Sequence, residues 1–118
     1  MNYKVIYLLV LLAIFGCASI PRVTDIEIQE AMRLKRDPAN GKTVYERECI
    51  FCHREKGEGG GVAMGTLERS MSKRDEDLYK AIKEGMGNWM PPFSRMTEKD
   101  TMDVIEYIRD LLAGKQND

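Results

Sequence analysis

The sequence predicts an all-α domain, and three observations lead to this prediction. Three segments, residues 40–52, 73–84 and 98–113, carry apolar side chains about one helical turn apart. No segment alternates between apolar and polar residues as a half-buried strand would. With 118 residues, the chain has room for one domain at most, so the helices must share one core.

The amino terminus resembles a bacterial export signal. Eleven apolar residues follow Lys4 closely, too few for a bilayer span, which needs about 20, but suited to a secretory signal. Residues 14–17, Ile-Phe-Gly-Cys, resemble a lipobox, and in lipoproteins that cysteine is lipidated and becomes the first mature residue. We therefore expect residues 1–16 to form a lipoprotein signal peptide and Cys17 to carry the lipid. The alternative is an ordinary signal peptide that is cleaved nearby.

The segment that follows, residues 17–38, is polar and is expected to form the lipidated N-terminus and a tether. Ile28, Met32 and Lys35 share one face if residues 25–36 are helical, but this apolar stripe is weak. The charge density therefore favours a charged spacer over a docking helix. The chain is thus divided into residues 1–16 (signal peptide), 17–38 (tether), 39–114 (folded domain) and 115–118 (C-terminal tail).

The first helix of the domain is expected to run from about residue 40 to Cys52, with Asn40 as its N-cap. Three side chains fall roughly one turn apart along it: Val44, Glu48 and Phe51. Residues 57–61 then form a glycine-rich segment between this helix and the next. Its spacing matches neither a P-loop nor a dinucleotide fingerprint, and no strand precedes it, so phosphate binding is rejected.

The second helix is expected over residues 73–84. Ser72 followed by Asp75 is similar to a capping box, and acidic residues in the first turn favour the positive end of the helix dipole. Gly85 is expected to end this helix. The side chains predicted to be buried are Leu78, Ala81 and Ile82.

The third helix is expected over residues 98–113, with Thr97 as its N-cap and Gly114 at its end. Its apolar residues form one broad face that predicts burial against the other two helices. This face consists of Met102, Val104, Ile105, Ile108, Leu111 and Leu112.

The pattern Cys49-Ile50-Phe51-Cys52-His53 predicts a covalently attached haem c. Two thiols on one helical turn can add to the two vinyl groups of a haem, and His53 then lies beneath the iron as proximal ligand. A zinc site would need four ligands, and the chain has one histidine and no second cysteine pair. A redox dithiol would be expected in a βαβ setting, whereas this neighbourhood is helical. The single histidine also excludes bis-histidine ligation and a second haem of this type.

Met90 is the predicted sixth ligand of the iron. Pro91 and Pro92 follow it, fix two φ angles and remove two amide donors, which stiffens the loop that must aim the thioether. Most methionines fill cores, and this is the default for the others, with Met86 as the reserve ligand. Trp89 either places its ring on the haem edge and donates to a propionate, or packs as an apolar side chain.

These features together resemble the class I cytochromes c, and the resemblance covers residues 40–114. Family members pack a small residue of the first helix against an aromatic of the last, and Gly41, Tyr45 and Tyr107 match that crossing. The methionine-loop pattern of the family matches Met90-Pro91-Pro92-Phe93. The resemblance implies three main helices around one haem.

Two positions differ from the family pattern. Many bacterial relatives have a glycine after the proximal histidine, where this chain has Arg54. Most have a proline after the glycine cluster, where this chain has Val62. In the family the carbonyl at that proline accepts the N–H of the proximal histidine, so the resemblance assigns this role to the Val62 carbonyl.

The resemblance implies a single-electron carrier that is not an enzyme and that contacts its redox partner proteins transiently. With Cys17 lipidated, it would be anchored at the periplasmic face of a bacterial membrane. Nucleic acid is not an expected partner, because 18 basic residues balance 19 acidic ones. Two alternatives remain: a haem-based gas sensor or weak peroxidase with a labile methionine ligand, and a dedicated redox subunit of a larger complex.

Overall fold

The computed structural model describes residues 22–60 and 66–114, and all regular elements within these ranges are helical. They are α1 (Asp25–Met32), α2 (Pro38–Glu48), α3 (Ile50–His53), a 3-10 helix (Leu67–Ser72), α4 (Asp75–Glu84) and α5 (Glu98–Leu112). An isolated antiparallel bridge between Met86 and Met90 is the sole β-type pairing in the described ranges. The prediction of an all-α fold is confirmed for this part of the chain.

Helices α2 and α5 cross at Gly41, where the two backbones approach closely. A Cβ atom on Gly41 would lie 2.6 Å from the carbonyl carbon of Asp103 and 2.9 Å from Cβ of Tyr107. One turn further along α2, the rings of Tyr45 and Tyr107 lie 5.3 Å apart between centroids at an angle of 51°. The predicted crossing of a small residue with an aromatic one is therefore confirmed.

The hydrophobic core lies between α5 and the helices α1, α2 and α4. Met102 is fully buried, which confirms its prediction as a packing residue rather than a ligand. The core side chains are Ile28, Ala31, Val44, Tyr45, Tyr79, Ile82, Met102, Val104, Ile105, Tyr107 and Ile108.

The start of α2 differs from the prediction, because Asp37 and not Asn40 is its N-cap. The carboxylate of Asp37 accepts hydrogen bonds from the backbone N–H groups of Ala39 at 3.0 Å and Asn40 at 3.3 Å. Pro38 occupies the first helical position, where its fixed φ suits a helix and its missing N–H is not needed. The side chain of Asn40 instead donates to α5, at 2.9 Å to both Asp100 and Asp103.

The predicted capping box at the start of α4 is also wrong. Ser72 ends the 3-10 helix, and its hydroxyl donates to the carbonyl of Arg69 at 3.0 Å. Arg74 holds the cap position of α4 without a side-chain cap bond. The Asp75 carboxylate is engaged elsewhere, because it accepts from the guanidinium of Arg109 at 2.8 Å.

The other predicted helix ends agree with the structure. The Thr97 hydroxyl accepts from the backbone N–H of Asp100 at 3.0 Å and caps α5. Gly85 follows the last residue of α4 with φ of 76°. Gly114 follows the end of α5 with φ of 71°, a conformation in which glycine lacks the strain of other residues.

A docked helix occupies the middle of the predicted tether. Ile28 and Ala31 of α1 are buried, and α1 packs against α4 and α5. The expectation of a charged spacer is thereby corrected for α1, although the helix ends at Met32 and does not continue to residue 36. The reason is that Ile28 and Ala31 find an apolar surface on the domain, which the weak stripe did not reveal.

Several predictions concern residues outside the described ranges. These are the signal peptide at residues 1–16, the lipidation of Cys17, the carbonyl of Val62 and the tail at residues 115–118. Among the helices of residues 22–60 and 66–114, none has both the length and the apolar character required to cross a membrane.

Candidate functional site

The Cys-x-x-Cys-His pattern lies on one turn at the end of the first long helix. The predicted continuous helix is interrupted at Cys49, which separates α2 from α3 and has φ of −111°. The backbone N–H of His53 donates to the carbonyl of Cys49 at 2.9 Å, and this bond closes the turn. Both cysteines are free thiols and half-buried, as is the His53 side chain, whose Nδ1 atom is buried. The structure therefore brings Cys49, Cys52 and His53 together.

The chemistry of Cys49 argues against a redox dithiol. Burial, followed by the charges of Glu48 and Cys52, raises the pKa of the Cys49 thiol to about 12. The thiolate is the attacking species in disulfide exchange, and reactive dithiols have a lowered pKa. A thiol that stays protonated near neutral pH is poorly suited to reversible disulfide exchange.

The turn after His53 is held in an uncommon backbone conformation. Arg54 has φ of 61° and ψ of 176°, a region occupied almost only by glycine. The hydroxyl of Tyr45 donates to the Arg54 carbonyl at 2.6 Å, and the N–H of Gly59 donates to the His53 carbonyl at 3.1 Å. The position of His53 is therefore fixed from both α2 and the following loop.

The methionine loop, defined here as residues 86–96, folds back on the end of α4. The N–H of Met86 donates to the carbonyl of Met90 at 2.9 Å, and the N–H of Met90 donates to the carbonyl of Met86 at 3.3 Å. Gly85 allows this return, because a Cβ atom at that position would lie 2.6 Å from the Met90 carbonyl oxygen. The backbone of Met90 is thus fixed on its amino side as well as by the two prolines that follow.

The candidate methionines differ in their surroundings. Met90 is half-buried and packs against the core, whereas Met86 and Met71 are 59% and 47% exposed. Met64 lies outside the described residues. Trp89 is 73% exposed, so its ring is not part of the protein core and lies open to a group placed beside the loop.

The end of α2, directly before the cysteine turn, faces the methionine loop. A cavity of about 410 Å³ separates them, with Glu48, which precedes Cys49, on one side and Phe93 and Met96 on the other. Among the described residues, the cysteine turn itself and Met90 do not line this cavity. Two free thiols, an imidazole and a thioether on a separate loop are the donor set that a haem c requires. The residues present therefore fit this group.

Sequence reasoning missed an ion pair between α4 and α1 that contacts the methionine loop. Lys83 is only 7% exposed and donates to carbonyls of the methionine loop, and Glu27 of α1 lies 3.8 Å from its ammonium nitrogen. The available signal was the spacing of Tyr79 and Lys83, which share the buried face of α4. A lysine is normally assigned to solvent, so the pattern alone did not indicate this role.

An all-α fold that carries a Cys-x-x-Cys-His turn and a proline-stiffened methionine loop is typical of a c-type cytochrome. A family model described as cytochrome c oxidase, cbb3-type, subunit III matches residues 36–108, and the chain belongs to this family of monohaem c-type cytochromes. The family implies haem c, and the cysteine pair for it is present. The predicted class I cytochrome c fold is confirmed, and the protein is an electron carrier rather than an enzyme.

Two curated relatives extend this assignment. The chain is 30% identical to cytochrome c6 of Cyanidioschyzon merolae over 79 residues, which cover 61% of this chain and 72% of the relative. It is 34% identical to cytochrome c6 of Parathermosynechococcus lividus over 86 residues, which cover 65% of this chain and 93% of the relative. No solved structure is significantly similar to the chain. Helix α1 lies before the range that the family model matches.

Proposed function

We propose that the protein is an exported, lipid-anchored cytochrome c that carries single electrons between partner proteins, with His53 and Met90 as the axial ligands. The observation that carries this proposal is the single turn that holds Cys49, Cys52 and His53, and the backbone bonds that fix Met90 in the methionine loop support it. Haem c, when bound, supplies one-electron chemistry through its ferrous and ferric states. The chain's own residues fix, ligate and shield it.

Each site residue has a distinct task in this proposal. Cys49 and Cys52 form thioethers that prevent the cofactor from leaving, and His53 is the proximal ligand. The soft thioether of Met90 would be the second protein ligand of the iron and would favour the ferrous state, so no open position would remain for a substrate. Trp89, whose ring is exposed, would either donate its indole N–H to a haem propionate or pack against the cofactor as an apolar side chain. A stiff ligand loop keeps the geometry similar in both oxidation states, so the barrier to electron transfer stays small.

Optical spectroscopy of the mature protein tests the ligation. The proposal expects a low-spin spectrum, a weak near-infrared thioether-to-iron band in the ferric form, and no shift when carbon monoxide is added to the ferrous form. Ready carbon monoxide binding would instead favour the gas-sensor or peroxidase alternative. Absence of covalently bound haem would overturn the assignment of Cys49 and Cys52.

The sixth ligand is tested by a matched pair of variants. Met90→Ala should lose the near-infrared band and gain carbon monoxide binding, because the iron then lacks its thioether. Met86→Ala is the control, because Met86 is the backbone partner of Met90 in the antiparallel bridge and its side chain is 59% exposed. A Met86→Ala variant that loses the band while Met90→Ala keeps it would assign the ligand to Met86.

The membrane anchor is tested separately from the haem. The lipobox-like residues 14–17 support acylation of Cys17, and stable anchoring takes more than one acyl chain. The wild-type protein should partition into detergent and show a lipid-modified N-terminal cysteine by mass spectrometry, whereas Cys17→Ala should do neither. An unmodified N-terminus in the wild type would favour an ordinary cleaved signal peptide.

A second candidate function follows from the name of the matching family, which describes a subunit of an oxidase. In this case the same site would serve as a dedicated redox subunit within one larger complex. Isolation from membranes under mild detergent distinguishes the two: a mobile carrier should purify alone, whereas a dedicated subunit should purify in fixed stoichiometry with a larger enzyme.

A further inference from the structure

We infer that helix α1 braces the methionine loop through the buried side chain of Lys83, so that Glu27 and Lys83 are positioning residues for the ligand Met90. This inference deepens the proposed His53–Met90 ligation and rests on it. It concerns how firmly the loop is closed, and it assigns a role to the helix that precedes the matched family range.

Lys83 joins α4 to the methionine loop. Its Nζ atom donates to the carbonyl of Met96 at 2.7 Å and to the carbonyl of Ser94 at 3.2 Å. These bonds use two of the three donors of the ammonium group. The side chain is 7% exposed, and a buried charge is costly unless it is hydrogen-bonded and paired. Lys83 therefore needs a counter-charge for the loop to close over it.

Glu27 of α1 supplies that counter-charge. Its Oε1 atom lies 3.8 Å from Nζ of Lys83 and accepts a hydrogen bond from the hydroxyl of Tyr79 at 2.9 Å. Burial and the contact with Glu27 raise the pKa of Tyr79, so its hydroxyl stays a donor. The ring of Tyr79 lies 5.9 Å from Nζ and adds a cation–π contact on the same side. Glu27 is thus held in place to face the ammonium.

The contacts of Lys83 fall directly after the predicted ligand. Pro91 and Pro92 have no N–H groups, and the next N–H, of Phe93, donates to the carbonyl of Ile82 at 2.9 Å. The carbonyls of Ser94 and Met96 then bind Lys83. Opening of the loop breaks all three bonds and hydrates the ammonium. Removing the charge of Glu27 therefore raises the free energy of the closed loop more than that of the open one.

Helix α1 is fixed firmly enough to act as a support. Ile28 and Ala31 are 7% and 1% exposed and anchor it on the core. The backbone N–H of Val23, just before the helix, donates to the Glu84 carboxylate at 2.8 Å. Contacts on two successive residues of α4, Lys83 and Glu84, hold α1 against the base of the loop.

Binding of imidazole to the ferric holoprotein tests the brace, because imidazole replaces the thioether only when the loop opens. Glu27→Gln keeps the size of the side chain and an acceptor for Tyr79 but removes the charge. It should bind imidazole about fivefold more tightly than the wild type, a size typical of a partly exposed ion pair. Glu30→Gln is the matched control, since Glu30 is an exposed residue on the same helix with the same change of charge. Its imidazole affinity should not change.

A double-mutant cycle tests the route through Lys83. Lys83→Met should also bind imidazole more tightly, and adding Glu27→Gln to it should have little further effect, because Glu27 acts through the ammonium. Additive effects, or equal affinities for Glu27→Gln and Glu30→Gln, would overturn the brace. A wild type that lacks the thioether band would overturn the proposed ligation and the brace together, so the two failures are distinguishable. Global unfolding followed by circular dichroism should change little in Glu27→Gln, which separates loop opening from loss of the fold.

Discussion

Arg54 shows how a single residue stores strain beside the candidate site. Its backbone conformation is nearly restricted to glycine and costs on the order of 1–3 kcal/mol for other residues. The hydrogen bond from Tyr45 to its carbonyl and the bond from its N–H to the carbonyl of Ile50 hold the chain in this conformation. The sequence position after His53 thus has a backbone requirement that glycine would meet without strain.

Arg54→Gly should therefore stabilise the protein. We expect the free energy of unfolding to rise by about 1 kcal/mol, since the strain is relieved and the unfolded chain gains some freedom in return. Denaturant unfolding of the holoprotein followed by circular dichroism measures the change. The control is Glu55→Gly, an exposed neighbour with ordinary φ, which should be neutral or slightly destabilised. Equal loss of stability in both variants would contradict the strain argument.

At the residue level, the sequence predicts what depends on near neighbours. The cysteine turn and the prolines after Met90 are local patterns. The structure has a helical turn at Ile50–His53 and a non-helical loop around Met90, as these patterns predict. Lys83 was not predicted, because its burial depends on carbonyls of another segment and on Glu27, 56 positions earlier. Lysine is polar on every hydropathy scale, and only the tertiary contacts of Lys83 explain its burial.

At the level of the elements, the crossing of α2 and α5 combines a glycine with a buried carboxylate. Asp103 is fully buried and accepts from the backbone N–H of Asp37 at 2.8 Å, from Asn40 and from Lys99. Burial alone would raise the pKa of Asp103, but these hydrogen bonds outweigh it and hold the pKa below its usual range. The crossing is therefore fixed by polar contacts as well as by close packing.

Gly41→Ala tests the close packing. The added methyl group would press on the backbone carbonyl of Asp103, which cannot turn aside as a flexible side chain could. We expect a loss of about 3 kcal/mol or more in the free energy of unfolding, at the upper end for overpacked sites. Thr43→Ala, at an exposed position of the same helix, should change the stability by less than about 0.5 kcal/mol. A small effect of Gly41→Ala would mean that the helices can separate without cost.

Asp103 makes the crossing sensitive to acid. Because its pKa is lowered in the folded protein, its stabilisation is fully present above the usual carboxyl value of about 3.9. This stabilisation is lost as the pH falls through the lower folded pKa. Asp103→Asn should be less stable at neutral pH and should lose less on acidification, as measured by denaturant unfolding at a series of pH values. Parallel pH profiles for the two proteins would contradict this assignment.

The helix boundaries show which parts of an element can be predicted. The Thr97 cap and the glycine ends of α4 and α5 depend on one turn of chain and were predicted correctly. The caps assigned to Asn40 and Ser72 were wrong, because those side chains have competing partners in space or in the preceding turn. The docking of helix α1 was not predicted for the same reason, because Ile28 and Ala31 are buried only by contact with a surface that is distant in sequence.

At the scale of the whole molecule, the cofactor is expected to complete the fold. A domain of this size buries a small core, and several large apolar side chains remain uncovered in the polypeptide alone. Phe51, Trp89 and Met86 are 92%, 73% and 59% exposed. A covalently held haem would cover apolar surface near the cysteine turn and the methionine loop.

Loss of the attachment site should therefore destabilise the entire domain. The double variant Cys49→Ser/Cys52→Ser should show reduced helical circular dichroism and a broad thermal transition, because the apolar ring system is absent from the core. Cys17→Ser, which leaves the turn intact, is the control and should melt like the wild type. A double variant with unchanged helix content and melting would show that the polypeptide core is sufficient without the cofactor.

The bond between Val23 and Glu84 fixes Val23 to the folded domain, and this has a consequence for the distance between the domain and the membrane. Six positions separate Val23 from Cys17, and a fully extended chain covers about 3.5 Å per residue. With Cys17 in the lipid surface as proposed, Val23 can lie at most about 20 Å from that surface. The carrier would then stay close to the membrane and reach its partners by lateral diffusion along the membrane surface. Its donors and acceptors would have to present their docking faces close to the lipid headgroups.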